Sequence, residues 1–320
     1  MHLPSLHSKM LQMLEPKFMH GYTSRDMGRV GERARQVVKA MGQQGGEGME
    51  LTSGDIEVLL RCFKHDMEAV DQIWQFAVLS GVVREVACFD CFLNIKMFGR
   101  QYERAFKVVE EMKEAGLRPT EYTQTCLVRL YGLTGDLVAA RRVFHELSDN
   151  SSSPSIYAYN AMLDVLGMNG LVEEMRHMFL QAVGLGDFIG RDLSELEPPP
   201  TDAKRGLALS PNRETFHVLI KWHAVYWDVD RATQYVRVMN DVFGVRPVAR
   251  TLKVLVTEKT AVREFQKCAE AAVMMSERYG VVPPGFVVRT LEAAKEKLAA
   301  MEKKVQEAEA QRSSIFAGLF

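Results

Sequence analysis

Hydrophobic residues in this chain recur at the spacing of a one-faced helix. Ala105, Val108, Val109 and Met112 follow the i, i+3, i+4, i+7 pattern, and so do Ala140, Val143, Phe144 and Leu147. A second stripe, Phe89, Phe92, Leu93 and Met97, precedes the first of these. Arg100, Gly135 and Gly170 stand where the chain must turn between the two stripes of a pair. Gly116 with Pro119 then ends one pair and opens the next, because Pro cannot continue a helix and Gly accepts the backbone of a helix end. The pattern predicts helical hairpins arranged in series.

The hairpins repeat. Val86–Thr120, Glu121–Ser155 and Ile156–Gly190 align without a gap at a step of 35 residues, with Ala105, Ala140 and Met175 in one register and Val109, Phe144 and Phe179 in another. Leu51–Glu85 fits the same frame through Val70, Trp74 and Gly81, and Arg213–Val248 and Ala249–Pro284 fit with one residue more. A hairpin with an apolar stripe on each helix cannot bury both by itself, and stacked neighbours can. The expected fold is all-α: an α-solenoid, a right-handed superhelix of helix-turn-helix repeats. Its expected parts are a basic N-terminal segment (1–50), an array of about six repeats (51–284) with a loop insertion at 184–209, and a long C-terminal capping helix with an apolar tail (285–320). The cap is predicted over Phe286 to Gln311, with Leu291, Ala294, Leu298, Met301 and Val305 as its stripe.

The stretch from Phe89 through Ala105 to the closing Gly116-Leu-Arg-Pro119 resembles a pentatricopeptide repeat, and Ile156-Tyr-Ala-Tyr-Asn-Ala-Met-Leu163 resembles the opening of the same motif. A tetratricopeptide array is the near alternative, but its Trp-Leu-Gly-Tyr pattern is missing. The resemblance implies an organellar protein that meets single-stranded RNA, reading one base per repeat through the fifth residue of a unit and the last residue before the next. Short polar side chains at such positions reach base edges. Carried onto this chain, the pairs are Asp55 with Glu85, Asp90 with Thr120, Thr125 with Ser155, Asn160 with Gly190 or Asn212, His217 with Val248, and Lys253 with Pro284. Thr125/Ser155 and Asn160/Asn212 match the usual polar combinations, and the other four depart from them. Tyr122 and Tyr157 occupy the second position of their units, where they either stack on bases or pack between repeats.

Charge changes this picture. The chain is 47% hydrophobic and 25% charged, as a globular protein is, and its formal net charge is −1, so bulk charge does not hold it to nucleic acid. The positions where RNA-binding relatives carry groove lysines hold Phe63, Phe98, Leu133, Met168, Val225 and Ala261, all apolar. The units from Val86 to Leu185 contain ten Lys or Arg against twelve Asp or Glu. Two readings stay open: a scaffold and RNA-contacting subunit of a large mitochondrial ribonucleoprotein, such as the mitoribosome with its rRNA and proteins or an RNA-processing complex, or an autonomous reader of single-stranded RNA that acts in organellar RNA processing, stability or translation. Seven Lys or Arg against three acids between Met1 and Met41 suit mitochondrial import, or an ordinary basic helix over Met27–Met41.

The insertion, from Gly184 through the run Glu195-Leu-Glu-Pro-Pro-Pro200, reads as a solvated loop or a partner contact. Five cysteines do not make a disulfide scaffold, and Cys88-x-x-Cys91 has no second pair at zinc spacing. His217 and His223 are spaced wrongly for two ligands on one helical face. No phosphate-binding glycine loop, metalloprotease motif or cluster of metal-spaced aspartates appears, so the expectation is a non-enzymatic protein with no cofactor, no metal and no small-molecule substrate. No apolar run is long enough to span a membrane, and no membrane partner is expected.

Overall fold

The computed structural model describes residues 52–83, 85–150, 155–189, 191, 193 and 210–317. The basic N-terminal segment, most of the insertion and the last three residues lie outside them. The described residues form fourteen α-helices and no strand, in the order the hydrophobic pattern predicts. The chain divides into two compact units, Met1–Leu147 and Ser148–Phe320.

In the first unit the hairpins are α1 (Ser53–Cys62) with α2 (Met67–Leu79), α3 (Val86–Phe98) with α4 (Tyr102–Glu114), and α5 (Glu121–Thr134) with α6 (Leu137–Asn150), whose last three residues fall beyond the boundary at Leu147. Each hairpin packs on the next, with α3 set against both α1 and α5. The stripes read from the sequence are the core: Ala105, Val108, Val109, Met112, Phe89, Phe92 and Leu93 are buried. Trp74 lies flat on Phe92 with ring centroids 4.2 Å apart and meets Phe89 edge-on at 5.1 Å, so α2 and α3 interlock through aromatic faces.

The second unit contains α7 (Ile156–Met168) with α8 (Val172–Ala182), then α9 (Arg213–Val225) with α10 (Val229–Asp241). The starts of α3, α5 and α7, at Val86, Glu121 and Ile156, keep the 35-residue step. Phe179 joins these two hairpins, meeting Phe216 at 5.8 Å and Tyr235 at 5.9 Å. At the entry to the insertion Arg176, itself buried, donates to the carbonyls of Phe188 and Arg191. That anchor was not anticipated from the sequence.

The turns between helices require left-handed backbone. Gly135 and Gly170 supply it at φ 82° and 80°, whereas Arg100 and Trp227 adopt it at φ 58° and 65° with side chains attached. The last hairpin departs from the expected single first helix. It is split into α11 (Ala249–Leu255) and α12 (Glu258–Arg263) before α13 (Phe265–Tyr279). The β-branched run Val254, Val256, Thr257 weakens helix propagation, and Thr257 starts α12 afresh by accepting from the Thr260 N–H at 3.2 Å. The long helix α14 (Gly285–Ala317) packs on α11, α12 and α13 and buries Val287, Thr290 and Ala294. Its predicted stripe is only partly covered: Met301 and Val305 are exposed.

Candidate nucleic-acid interface

Thr120, Ser155 and Asn212, each the last residue before a unit, turn out to be helix caps, whereas Glu85 and Val248 make no side-chain cap bond. Thr120 accepts from the Thr123 N–H, while Thr123 Oγ1 accepts from the Thr120 N–H at 3.1 Å. Ser155 caps α7 by accepting from the Ala158 N–H at 3.3 Å, and Asn212 caps α9 by accepting from the Thr215 N–H at 3.0 Å. These short polar side chains satisfy N–H groups that a helix leaves unpaired at its start, so the chain has a structural reason for them at that spacing.

Fifth-position residues bond to these caps or to their own helix. Asp90 accepts from Thr123 Oγ1 at 2.7 Å and from Thr120 Oγ1 at 3.5 Å. Partial burial raises the Asp90 carboxyl above its ordinary value, with the two threonine hydroxyls pulling the other way. Asn160 is buried and its Nδ2 donates to Asn212 Oδ1 at 3.2 Å, while its own Oδ1 is buried without a partner. Thr125 is buried and donates to the Glu121 carbonyl of its own helix at 2.8 Å. Asp90/Thr120 and Asn160/Asn212 are therefore brought into contact, in the first and second units respectively. Asp55 is buried and accepts from Thr52. His217 is buried against Thr251 at 3.0 Å.

The network has a component that the sequence reading missed. Thr123, Thr215 and Thr251 stand at the third position of their units, and each bonds back to the backbone N–H of the residue that caps its helix. Three threonines in one register were the available signal. The aromatic positions behave differently from one another. Tyr157 is 70% exposed, whereas Tyr122 is half-exposed and its hydroxyl accepts from Asn94 Nδ2 at 3.2 Å. Partial burial, with Cys126 beside it, pushes the Tyr122 phenol up to about 12. Both rings present area to solvent on which a base can stack.

Positive charge around these positions is reduced further by the fold. Lys96 is fully buried, pairs with Asp71 at 2.6 Å and donates to Gln101 at 2.8 Å. Arg104 pairs with Glu111, and Arg176 is buried with its guanidinium on the Phe188 and Arg191 carbonyls. The apolar positions that replace groove lysines are solvent-facing at Phe98, Leu133 and Val225 and buried at Phe63 and Ala261. Cys88 and Cys91 donate weakly to the Ser53 and Glu57 carbonyls across the α1–α3 seam, and burial pushes their thiols up to about 12 and about 11. Such thiols are packing groups rather than nucleophiles.

Known proteins resemble this arrangement. A pentatricopeptide repeat domain matches residues 73–123 and 121–169, and a PPR repeat matches residues 157–186. The small ribosomal subunit protein mL103 (rPPR7) of Arabidopsis thaliana is 26% identical over 153 residues, which cover 46% of this chain and 36% of the relative. A mitochondrial pentatricopeptide repeat-containing protein of the same plant is 28% identical over 115 residues, 36% of this chain and 16% of that one. The crystal structure of the pentatricopeptide repeat protein PPR10 in complex with an 18-nt psaJ RNA element matches with a TM-score of 0.53 at 15% identity, over 86% of this chain and 43% of that one. The chain thus spans less than half the length of these relatives, and the likeness to the solved structure is one of fold. Repeated helical hairpins in a 35-residue frame, matched by both repeat models, make residues 73–186 of this chain a run of pentatricopeptide repeats.

Proposed function

We propose that the protein is a non-enzymatic scaffold and RNA-contacting subunit of a mitochondrial ribonucleoprotein, a mitoribosome or RNA-processing complex. The observation that carries this reading is the internal use of the base-reading positions. Asp90 holds Thr120 and Thr123, Asn160 holds Asn212, and Thr125 is tied to its own helix. A base that approached them would have to displace bonds that cap helices, and such an exchange gives little discrimination. The ribosomal relative and the net acidity of the units from Val86 to Leu185 support the same reading. In this role the stacked hairpins present surfaces to proteins and rRNA, and the partners supply most of the specificity.

A second reading, an autonomous reader of single-stranded RNA, is favoured by the exposed ring of Tyr157 and by the unpartnered Asn160 Oδ1. One experiment separates them. The tagged protein is recovered from mitochondria with and without ribonuclease. The scaffold reading expects many co-purifying proteins in both samples and weak RNA binding by the isolated chain. Recovery alone, with tight binding to one sequence that Tyr157→Ala and Asn160→Ala abolish, establishes the reader instead.

A further inference from the structure

The positive charge missing between Val86 and Leu185 reappears near the C-terminal end of the second unit. Residues 249–298 contain nine Lys or Arg against six Asp or Glu. Some of these cations are paired: Arg250 meets Glu214 at 2.9 Å and Lys267 meets Asp230 at 2.7 Å. Among the described residues, Lys253, Arg263, Arg289 and Lys297 have no carboxylate at ion-pair distance, and all four are exposed.

The unpaired cations gather around two exposed rings. Phe286, at the start of α14, is 41% exposed, with Lys253 Nζ 5.6 Å from its centroid. Beside it opens a cleft of about 260 Å³ lined by Val262, Phe286, Arg289, Ala293 and Lys297. Residues 286, 289, 293 and 297 fall on one face of α14, so the ring and both cations project into the same cleft. The short helix α12, whose Val262 lines this cleft, also carries Arg263, whose guanidinium lies 3.9 Å from the centroid of Trp227. Trp227 is 47% exposed and occupies a left-handed turn at φ 65°, the place that Gly135 and Gly170 fill in earlier hairpins. A bulky side chain held in that backbone region at a solvent-facing turn is strain that points to a use.

We propose that α12 and the first turns of α14 form a second RNA-binding surface. Bases stack on Phe286 and on the open face of Trp227, while Lys253, Arg289 and Lys297 take the phosphates. An acidic peptide satisfies the cations but has no need of two solvent-facing rings, whereas single-stranded RNA uses both. Contacts of this kind are indifferent to sequence, in contrast to the base-reading positions, and the proposal shares with the function proposed above only the nature of the ligand.

The test is fluorescence anisotropy of a labelled single-stranded oligouridine titrated with the full chain at several salt concentrations. Arg289→Gln with Lys297→Gln changes two exposed side chains and should leave the circular dichroism spectrum intact. It should lower the magnitude of the log–log salt slope by about 1.4, at about 0.7 for each single-strand phosphate that is no longer neutralised. Phe286→Leu, which keeps an apolar residue in place, should weaken binding about tenfold by removing the stacking ring. Asn160→Ala should leave oligouridine binding unchanged. No binding by the wild-type chain overturns the proposal, as does an unchanged slope in the double variant. Loss in Asn160→Ala alone assigns the RNA to the reading positions and also overturns it. Competition by oligoglutamate as effective as that by oligouridine of the same length marks the surface as a protein-docking site and overturns it equally.

Discussion

Between Val86 and Leu185 several polar and charged side chains are taken up by the fold, and between Ala249 and Leu298 several cations are left beside exposed rings. In the first region Lys96 and Arg176 are buried, Thr120 and Ser155 cap helices, and Asp90 links one hairpin to the cap of the next. In the second region the opening helix is broken in two, and Lys253, Arg289 and Lys297 face solvent beside an exposed ring. The difference teaches what repetition does. Where the frame is regular, neighbouring hairpins impose packing or capping tasks on many register positions. Where the frame breaks, side chains are released from those tasks and become available to a partner.

The largest effect that sharpens this contrast is expected at Asp71. Removing this half-exposed carboxylate by Asp71→Ala leaves Lys96 fully buried without its counter-charge, at a cost of about 3 kcal/mol. Lys96→Met should be close to neutral, because Asp71 returns to water and the lysine stem is replaced by an apolar chain of similar volume. Chemical denaturation of the two variants checks the asymmetry. Equal losses would mean that Lys96 is hydrated in solution and that the first region keeps a usable cation after all.

A smaller loss, about 1–3 kcal/mol, is expected from Gly167→Ala. A methyl group there would lie 2.2 Å from the Trp222 ring. The ring cannot easily retreat, since Trp222 Nε1 donates to Asp164 at 2.7 Å and Lys221 sits 4.1 Å over its face. A thermal melt with unchanged midpoint would show that α7 and α9 are less closely packed than these distances require.

How much of this was legible depended on the period of each signal. The 3.6-residue stripes and the 35-residue step were both visible, because Ala105, Ala140 and Met175 had to be small or flexible for hairpins to stack, and all three are buried. The candidate base-reading residues were legible as positions but not as bonded groups. The resemblance pairs Asn160 with Asn212, but nothing in a linear chain says that the two side chains bond each other across 52 residues. The break at Val256 was missed because β-branched residues only weaken a helix, and tertiary packing decides whether they end it. Trp227 was missed for a related reason: a tryptophan gives no local sign that its backbone is left-handed.

A pH dependence of modest size should separate His217, one of two buried histidines of the second unit, from the exposed cations. Burial lowers the pKa of His217, with Arg250 and Arg213 acting in the same direction and Glu214 opposing them, while Thr251 bonds the ring. The ring is therefore harder to protonate in the fold than in the unfolded chain, where it takes a proton near the ordinary value of about 6.5. Its contribution is fully present above that pH and is lost as pH falls below it toward the folded value. Stability measured from pH 7 to pH 5 should fall less steeply in His217→Gln than in the wild type. Parallel curves would place the ring in water.

The smallest expected effects compare the two left-handed turns that lack glycine. Arg100→Gly relieves the strained backbone at φ 58° and should raise stability by about 0.5–1 kcal/mol after the greater freedom of glycine in the unfolded chain is included. Trp227→Gly relieves the same kind of strain at φ 65° but also removes the ring beneath Arg263, an exposed cation–π contact of about 0.5–1 kcal/mol. The two effects should nearly cancel, so the melting temperature of Trp227→Gly should barely move while its affinity for oligouridine falls. If Trp227→Gly is instead stabilised as much as Arg100→Gly and binds RNA normally, the tryptophan is only a tolerated turn residue, and the two regions differ in net charge alone.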